Sequence, residues 1–172
     1  IGQILGTLEH TPAATLALEQ GLPSAPWLHL YTEAARLAFA DRAQYVADPD
    51  FVAAPGGNWA NLLDPGYLAQ RARLIGPTSM KSGQSGTPGA MTTAYAAMPE
   101  QVEYGTSHIS IVDSNGQALA MTTTIEAGFG SRLMVNTGAG RSGDFLLNNE
   151  LTDFSLAPRD ANGTPIANRV QA

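Results

Sequence analysis

The sequence predicts an α+β fold in which helices come first and strands second. Two features carry this prediction: apolar residues recur at helical spacing before Gly76, and strand-like runs around a turn sequence appear only after Tyr104. A third sets the scale. At 172 residues with 44% hydrophobic content, the chain has about the length of one domain and enough apolar surface for a core.

Thr11-Pro12 places a capping hydroxyl before a proline suited to the first helical position, and Ala13 to Gln20 supply helix formers up to Gly21. Ser24-Ala25-Pro26 repeats the signal. From Trp27 to about Val46 the spacing of Trp27, Leu30, Tyr31, Ala34, Leu37 and Ala38 predicts a long amphipathic helix, with Glu33, Arg36 and Asp41 on its wetter side. Asp48-Pro49-Asp50 breaks it, and Pro55-Gly56-Gly57-Asn58 extends the loop. Asp64-Pro65 opens a third helix to about Ile75, which Gly76-Pro77 stops. Thr78 to Gly89 is rich in Ser, Gly, Thr and Pro, so residues 78–90 read as a mobile linker.

Ser107 to Val112 and Gln117 to Thr124 are then two strand-like runs joined by Asp113-Ser114-Asn115-Gly116, whose Asn-Gly pair suits the positive angles of a tight hairpin. Gly128, Gly130, Gly138, Gly140 and Gly143 mark long loops before Phe145-Leu146-Leu147-Asn148-Asn149 resumes an apolar strand. No internal repeat is evident.

The composition excludes several chemistries. A formal charge of -6 argues against nucleic acid or an anionic membrane surface as partner, leaving small-molecule chemistry as the default. Without cysteine there is no disulfide, thiolate metal site or cysteine nucleophile. His10, His29 and His108 show no ligand spacing, so no metal and no cofactor are assigned. Gly138-Ala139-Gly140-Arg141-Ser142-Gly143 fits the dinucleotide glycine pattern by letters, but the run after it is strand-like rather than helical, and an ordinary glycine loop is the better reading. Asn162-Gly163-Thr164 is a glycosylation acceptor or a surface turn. Neither Gly-x-Ser-x-Gly nor Ser-x-x-Lys occurs. The chain shows no export signal and no run near the ~20 apolar residues that span a bilayer. Its end, Ala167 to Ala172, reads as a truncation.

Thr106-Ser107-His108-Ile109-Ser110-Ile111-Val112-Asp113 resembles the start of the small subunit of gamma-glutamyltranspeptidases. Thr122 to Glu126, Phe129-Gly130-Ser131 and Leu146 to Ser155 resemble three further blocks of that subunit in order. Upstream, Glu33-Ala34, Ala38 to Arg42 and Asp48 to Phe51 resemble the end of the large subunit. The resemblance implies an N-terminal nucleophile hydrolase fold, an αββα sandwich, here in part. Residues 1–105 would close the large subunit, and residues 106–172 would open the small one.

The same resemblance implies self-cleavage between Gly105 and Thr106. Thr106 then carries both nucleophile and base, since its freed α-amine takes the hydroxyl proton. Thr124 matches a second threonine that supports it, while Glu126, Glu150 and Asp153 match positions that hold the donor's α-ammonium. Glu126 and Glu150 stand where many relatives have Asn and Gln. The implied partners are a gamma-glutamyl donor such as glutathione, an amino-acid, peptide or water acceptor, and the remaining subunit segments. Those segments would include an upstream arginine and downstream Ser-Ser and Gly-Gly blocks, without which the piece should be feeble. Family members are commonly periplasmic or extracellular. The alternatives are an acylase of the same fold acting on glutaryl or cephalosporin-type amides, and a non-catalytic structural or binding fragment.

Overall fold

In a computed structural model the chain is mixed helix and strand, and the structure describes residues 1–100, 105–136, 138 and 144–171. It divides into two compact units, residues 1–99 with 157–172, and residues 100–156.

The first unit is built on α1 (Gly2–Leu8), α2 (Ala25–Tyr45) and α3 (Pro65–Ala72). Ile4 and Leu8 of α1 join Ala13 and Ala34 in a buried cluster, with Trp27, Leu30, Ala35, Ala38 and Ile75 packed against it. Both sequence-predicted caps of the later helices lie where proline follows, and the Asp64 side chain accepts the Tyr67 amide hydrogen at 2.8 Å. The helix expected from Ala13 to Gln20 is instead one 3-10 turn, Pro12–Thr15. Only Ala13 in that stretch is buried, so no apolar face holds a longer helix in place. The chain instead turns through Gln20 and Gly21, with φ of 53° and 79°, and Glu19 pairs with Leu22.

The wetter side assigned to α2 is corrected. Glu33 and Asp41 are 0% and 1% exposed, on the same i, i+4 ridge as buried Leu37 and Tyr45. Each acid is tied into the fold. Asp41 accepts from Tyr67 Oη at 2.6 Å, Gln3 Nε2 at 2.9 Å and the Gly86 amide at 2.8 Å, and pairs with Arg71 at 3.2 Å. Glu33 pairs with Arg36 and accepts from the Met80 amide at 2.8 Å.

Some of these bonds reach the segment 78–90, which the composition reads as a mobile linker. The segment has almost no regular structure, as its composition implies, but it lies along the helices as a strap. Arg71 donates to the Gln84 carbonyl at 2.6 Å, Tyr45 Oη donates to the Gly86 carbonyl, and the Gly56 amide donates to Ala90 at 2.7 Å. Its glycines permit close approach: a Cβ on Gly83 would stand 2.6 Å from the Arg36 carbonyl oxygen. The segment's backbone polar groups supply the binding that apolar side chains do not. The returning segment 157–172 completes the unit, with Ile166 and Ala167 each 1% exposed and Ala96 bridged to Ile166.

The second unit holds two small antiparallel pairs, β1 (Ser107–Val112) with β2 (Ala118–Thr123) and β3 (Met134–Val135) with β4 (Phe145–Leu146). The β1–β2 connection departs in detail from the expected turn. Of the Asn-Gly pair only Gly116 has positive φ, at 80°, while Asp113 Oδ1 accepts from the amides of Asn115 and Gln117 at 2.8 and 2.9 Å. Gly116 N donates to the Asp113 carbonyl at 3.1 Å, so a three-residue turn ends in a left-handed glycine. Most of the Gly138–Gly143 loop lies outside the described residues.

Candidate active site

The β1–β2 register pairs Ser107 with Thr123 and His108 with Thr122. Continued one residue beyond its last recorded pair, the same register would bring Thr106 opposite Thr124. Alternation puts Thr106, His108 and Ser110 on one face with Thr122 and Thr124, and Ile109 and Ile111 on the other with Met121 and Leu119. Side-chain contacts agree: His108 Nδ1 lies 2.8 Å from Thr122 Oγ1 and its Nε2 lies 3.1 Å from Ser110 Oγ. The hairpin thus has a hydroxyl face and an apolar face.

Beyond β2 the chain reaches the acidic residues. Thr124 Oγ1 accepts the Glu126 amide hydrogen at 2.8 Å, which leaves the hydroxyl its own hydrogen to donate. Glu126 has φ of 70°, a left-handed conformation that is costly for a side chain with a Cβ. Its neighbours are clasped by Asn149, whose amide donates to the Ile125 carbonyl at 3.3 Å and whose Oδ1 accepts from the Ala127 amide at 3.1 Å. The next residue after Asn149 is Glu150, which opens the 3-10 turn Glu150–Asp153. One Glu150 carboxylate oxygen, Oε1, is buried and makes no hydrogen bond among the described residues.

The structure therefore links the sequence-predicted residues in series. Thr106 and Thr124 directly flank the last register pair, Ser107 with Thr123, a hydrogen bond joins Thr124 to Glu126, and Asn149 brings the Glu126 loop to Glu150. Asp153 lies at the far end of the Glu150 turn and is exposed. Among the described residues no atom lies within 4 Å of where a Cβ on Gly105 would stand, and its φ is not positive. Asn149 and Gly130 were not singled out as site residues by sequence reasoning. A Cβ on Gly130 would collide with the Leu147 carbonyl, which holds the 127–131 loop against the 147–149 segment. The available signal was the Asn148-Asn149 pair, since asparagine readily bonds nearby backbone.

Among the described residues no helix is long and apolar enough to cross a membrane, and no group of three or more His, Asp or Glu could hold a metal ion. The family model described as gamma-glutamyltranspeptidase matches residues 1–172, and the chain belongs to that family. Among curated relatives, a glutathione hydrolase proenzyme of Pseudomonas aeruginosa is 41% identical over 162 residues, covering 94% of this chain and 25% of that protein. One from Escherichia coli is 34% identical over 158 residues, covering 92% and 24%. An acylase ACY 1 proenzyme of a Pseudomonas species is 32% identical, with the same coverage. The chain thus spans about a quarter of the length of these relatives. A solved gamma-glutamyltranspeptidase from Pseudomonas nitroreducens complexed with L-DON is 38% identical over 46% of this chain and 22% of its own, with a TM-score of 0.39.

Proposed function

We propose that the protein of which this chain is a part transfers gamma-glutamyl groups from glutathione and related amides to an acceptor amine or to water, using Thr106 as nucleophile. The observation that supports this reading is the hairpin register, whose last pair, Ser107 with Thr123, is flanked by Thr106 and Thr124, with the Glu126 loop and Glu150 turn following. In the precursor, Thr106 Oγ1 attacks the Gly105 carbonyl carbon, and the acyl group passes from nitrogen to oxygen. Water hydrolyses that ester, leaving a carboxylate on Gly105 and a free amine on Thr106. Scission there would divide residues 1–105 from residues 106–172.

In turnover the Thr106 amine takes the hydroxyl proton as Oγ1 attacks the donor's γ-carbonyl, then returns it to the departing amine. A threonyl ester remains until water or an acceptor amine displaces it. Thr124 donates its hydroxyl hydrogen to the Thr106 oxygen. Glu126, Glu150 and Asp153 hold the donor's α-ammonium, and the unpartnered buried oxygen of Glu150 supports this, because such an acceptor is costly unless a cation occupies it. The remaining subunit segments would complete an αββα N-terminal nucleophile fold and the carboxylate clamp. The likeness to glutathione hydrolase proenzymes supports the activity, and a periplasmic or extracellular location is part of the same proposal, carried over from the family resemblance alone.

The acylase relative gives a second reading, hydrolysis of glutaryl or cephalosporin-type amides. One experiment tests the nucleophile and a second separates the two readings. N-terminal sequencing of the mature small subunit should begin at Thr106; Thr106→Ala should abolish both cleavage and transfer, and Thr106→Ser should retain part of each. A different start, or turnover by the alanine variant, defeats the nucleophile. In the full-length protein Asp153→Ala should raise KM for gamma-glutamyl donors by about tenfold or more and leave glutaryl amides nearly unaffected. Equal losses would favour the acylase. In a denaturing mass measurement the isolated chain, lacking most of the parent, should stay intact.

A further inference from the structure

We propose that Asn149 is a positioning residue that sets the spacing of the two glutamates, Glu126 and Glu150, and thereby the recognition of donors bearing an α-ammonium. The inference rests on the ammonium-binding role proposed for those carboxylates. Glu126 occupies a left-handed conformation at φ of 70°, which persists only where surrounding bonds over-determine it. Three hydrogen bonds do so here. Thr124 Oγ1 holds the Glu126 amide, and Asn149 holds the carbonyl before it and the amide after it, through its own backbone N–H and its side-chain Oδ1.

Asn149 also precedes Glu150 directly and stands at the head of the 3-10 turn. Its backbone thus carries one glutamate while its side chain fixes the loop of the other. Gly130 and Ser131 keep the two segments adjacent: Gly130 leaves no room for a Cβ against Leu147, and the Ser131 amide donates to the Leu147 carbonyl at 2.9 Å. A residue lacking the Oδ1 acceptor frees the Ala127 amide and lets Glu126 relax toward ordinary backbone angles, which moves its carboxylate away from Glu150. Asn149 has no part in the attack by Thr106 in this scheme, so cleavage and acyl transfer to water should persist without its side chain.

The test uses the full-length precursor with Asn149→Ala and Asn149→Asp, assayed on a gamma-glutamyl anilide and a glutaryl anilide. The alanine variant should mature fully and show KM for the gamma-glutamyl substrate raised about tenfold, with kcat and the glutaryl KM changed by about twofold at most. Asn149→Asp keeps an oxygen acceptor for the Ala127 amide and should restore most of the lost affinity. If alanine blocks maturation, Asn149→Ser, too short to reach Ala127, carries the same expectation. Equal losses on both substrates, or no change on either, would overturn the positioning role. Glu126→Gln in parallel keeps two failures apart: if it too fails to discriminate between the substrates, the ammonium reading falls; if it discriminates and the Asn149 variants do not, the clasp alone falls.

Discussion

Asp41 accepts hydrogen bonds from Tyr67, Gln3 and the Gly86 amide and faces Arg71, whose guanidinium is equally buried. Removing one member of such a pair strands the other charge, so Asp41→Ala should cost about 3–5 kcal/mol in denaturant unfolding. Asp41→Asn, which keeps most acceptor contacts, should cost less. Glu33 supplies a pH dependence. Burial pushes its carboxyl up, but the Met80 amide and Arg36 outweigh that and hold it below its ordinary value of 4.5. A depressed carboxyl contributes stability that is whole above 4.5 and is lost as pH falls through the lower folded value. Glu33→Gln should therefore flatten the acid limb of a stability-against-pH curve, and an unchanged limb would refute the assignment. Tyr67 has the opposite sign, since burial and Asp41 raise its phenol above 10, so its contribution holds below that pH and fades in stronger alkali. Neither acid's burial was legible in the sequence, because an apolar-periodicity count scores any carboxylate as solvent-facing. Their partners come from residues 3, 67, 71, 80 and 86, which only the tertiary fold assembles.

Two turns show how a short code repeats without a repeat of the fold. Asp113-Ser114-Asn115-Gly116-Gln117 and Asp160-Ala161-Asn162-Gly163-Thr164 share Asp, Asn and Gly at the same spacing. They also share a hydrogen-bond pattern, in which the aspartate Oδ1 takes the amides two and four residues on and the glycine sits at φ of 80° or 82°. The second turn gives Asn162-Gly163-Thr164 a sufficient structural explanation. Gly163→Ala should destabilise the chain by about 1 kcal/mol, because alanine resists the left-handed region, and thermal or denaturant unfolding would measure it. A neutral result would mean the turn can flip to another type. The hairpin, α2 and α3 were legible because their signals are local: turn residues, capping side chains and periodic apolar positions. By contrast α1 lacks a side-chain cap bond and an acidic first turn, and its helicity comes from burying Ile4, Thr7 and Leu8. The contacts of the strap at 78–90 were not legible in its composition, because the close approach of its glycines to Arg36 and Gly56 is set by the tertiary fold. At the candidate site the threonine pair followed from hairpin spacing, whereas the Asn149 clasp joins positions 22 residues apart and has no local signature.

At the scale of the whole molecule, the two units differ in how they are held. The first has a buried apolar cluster and a buried ion pair, while every residue of β1 and β2 is exposed, including Ile111 and Leu119 at 52% and 51%. A two-stranded hairpin with both faces open is marginal in water, and burying its apolar face would stabilise it at about 25 cal/mol per Å². The chain spans about a quarter of its curated relatives' length, and on the proposed reading the rest of a full-length protein would supply that cover. Amide hydrogen exchange should therefore show opposite contrasts in two samples. In the isolated chain the amides of β1 and β2 should exchange near free-chain rates, while Gly86 and Met80, bonded to buried Asp41 and Glu33, should be protected. In the mature full-length protein β1 and β2 should rank among the slowest to exchange. Protection of the hairpin in the isolated chain would show that its own contacts suffice. Fast exchange in both samples would mean the parent leaves the Thr106 strand uncovered, and a nucleophile on so loose a strand would lack the fixed geometry that acyl transfer requires.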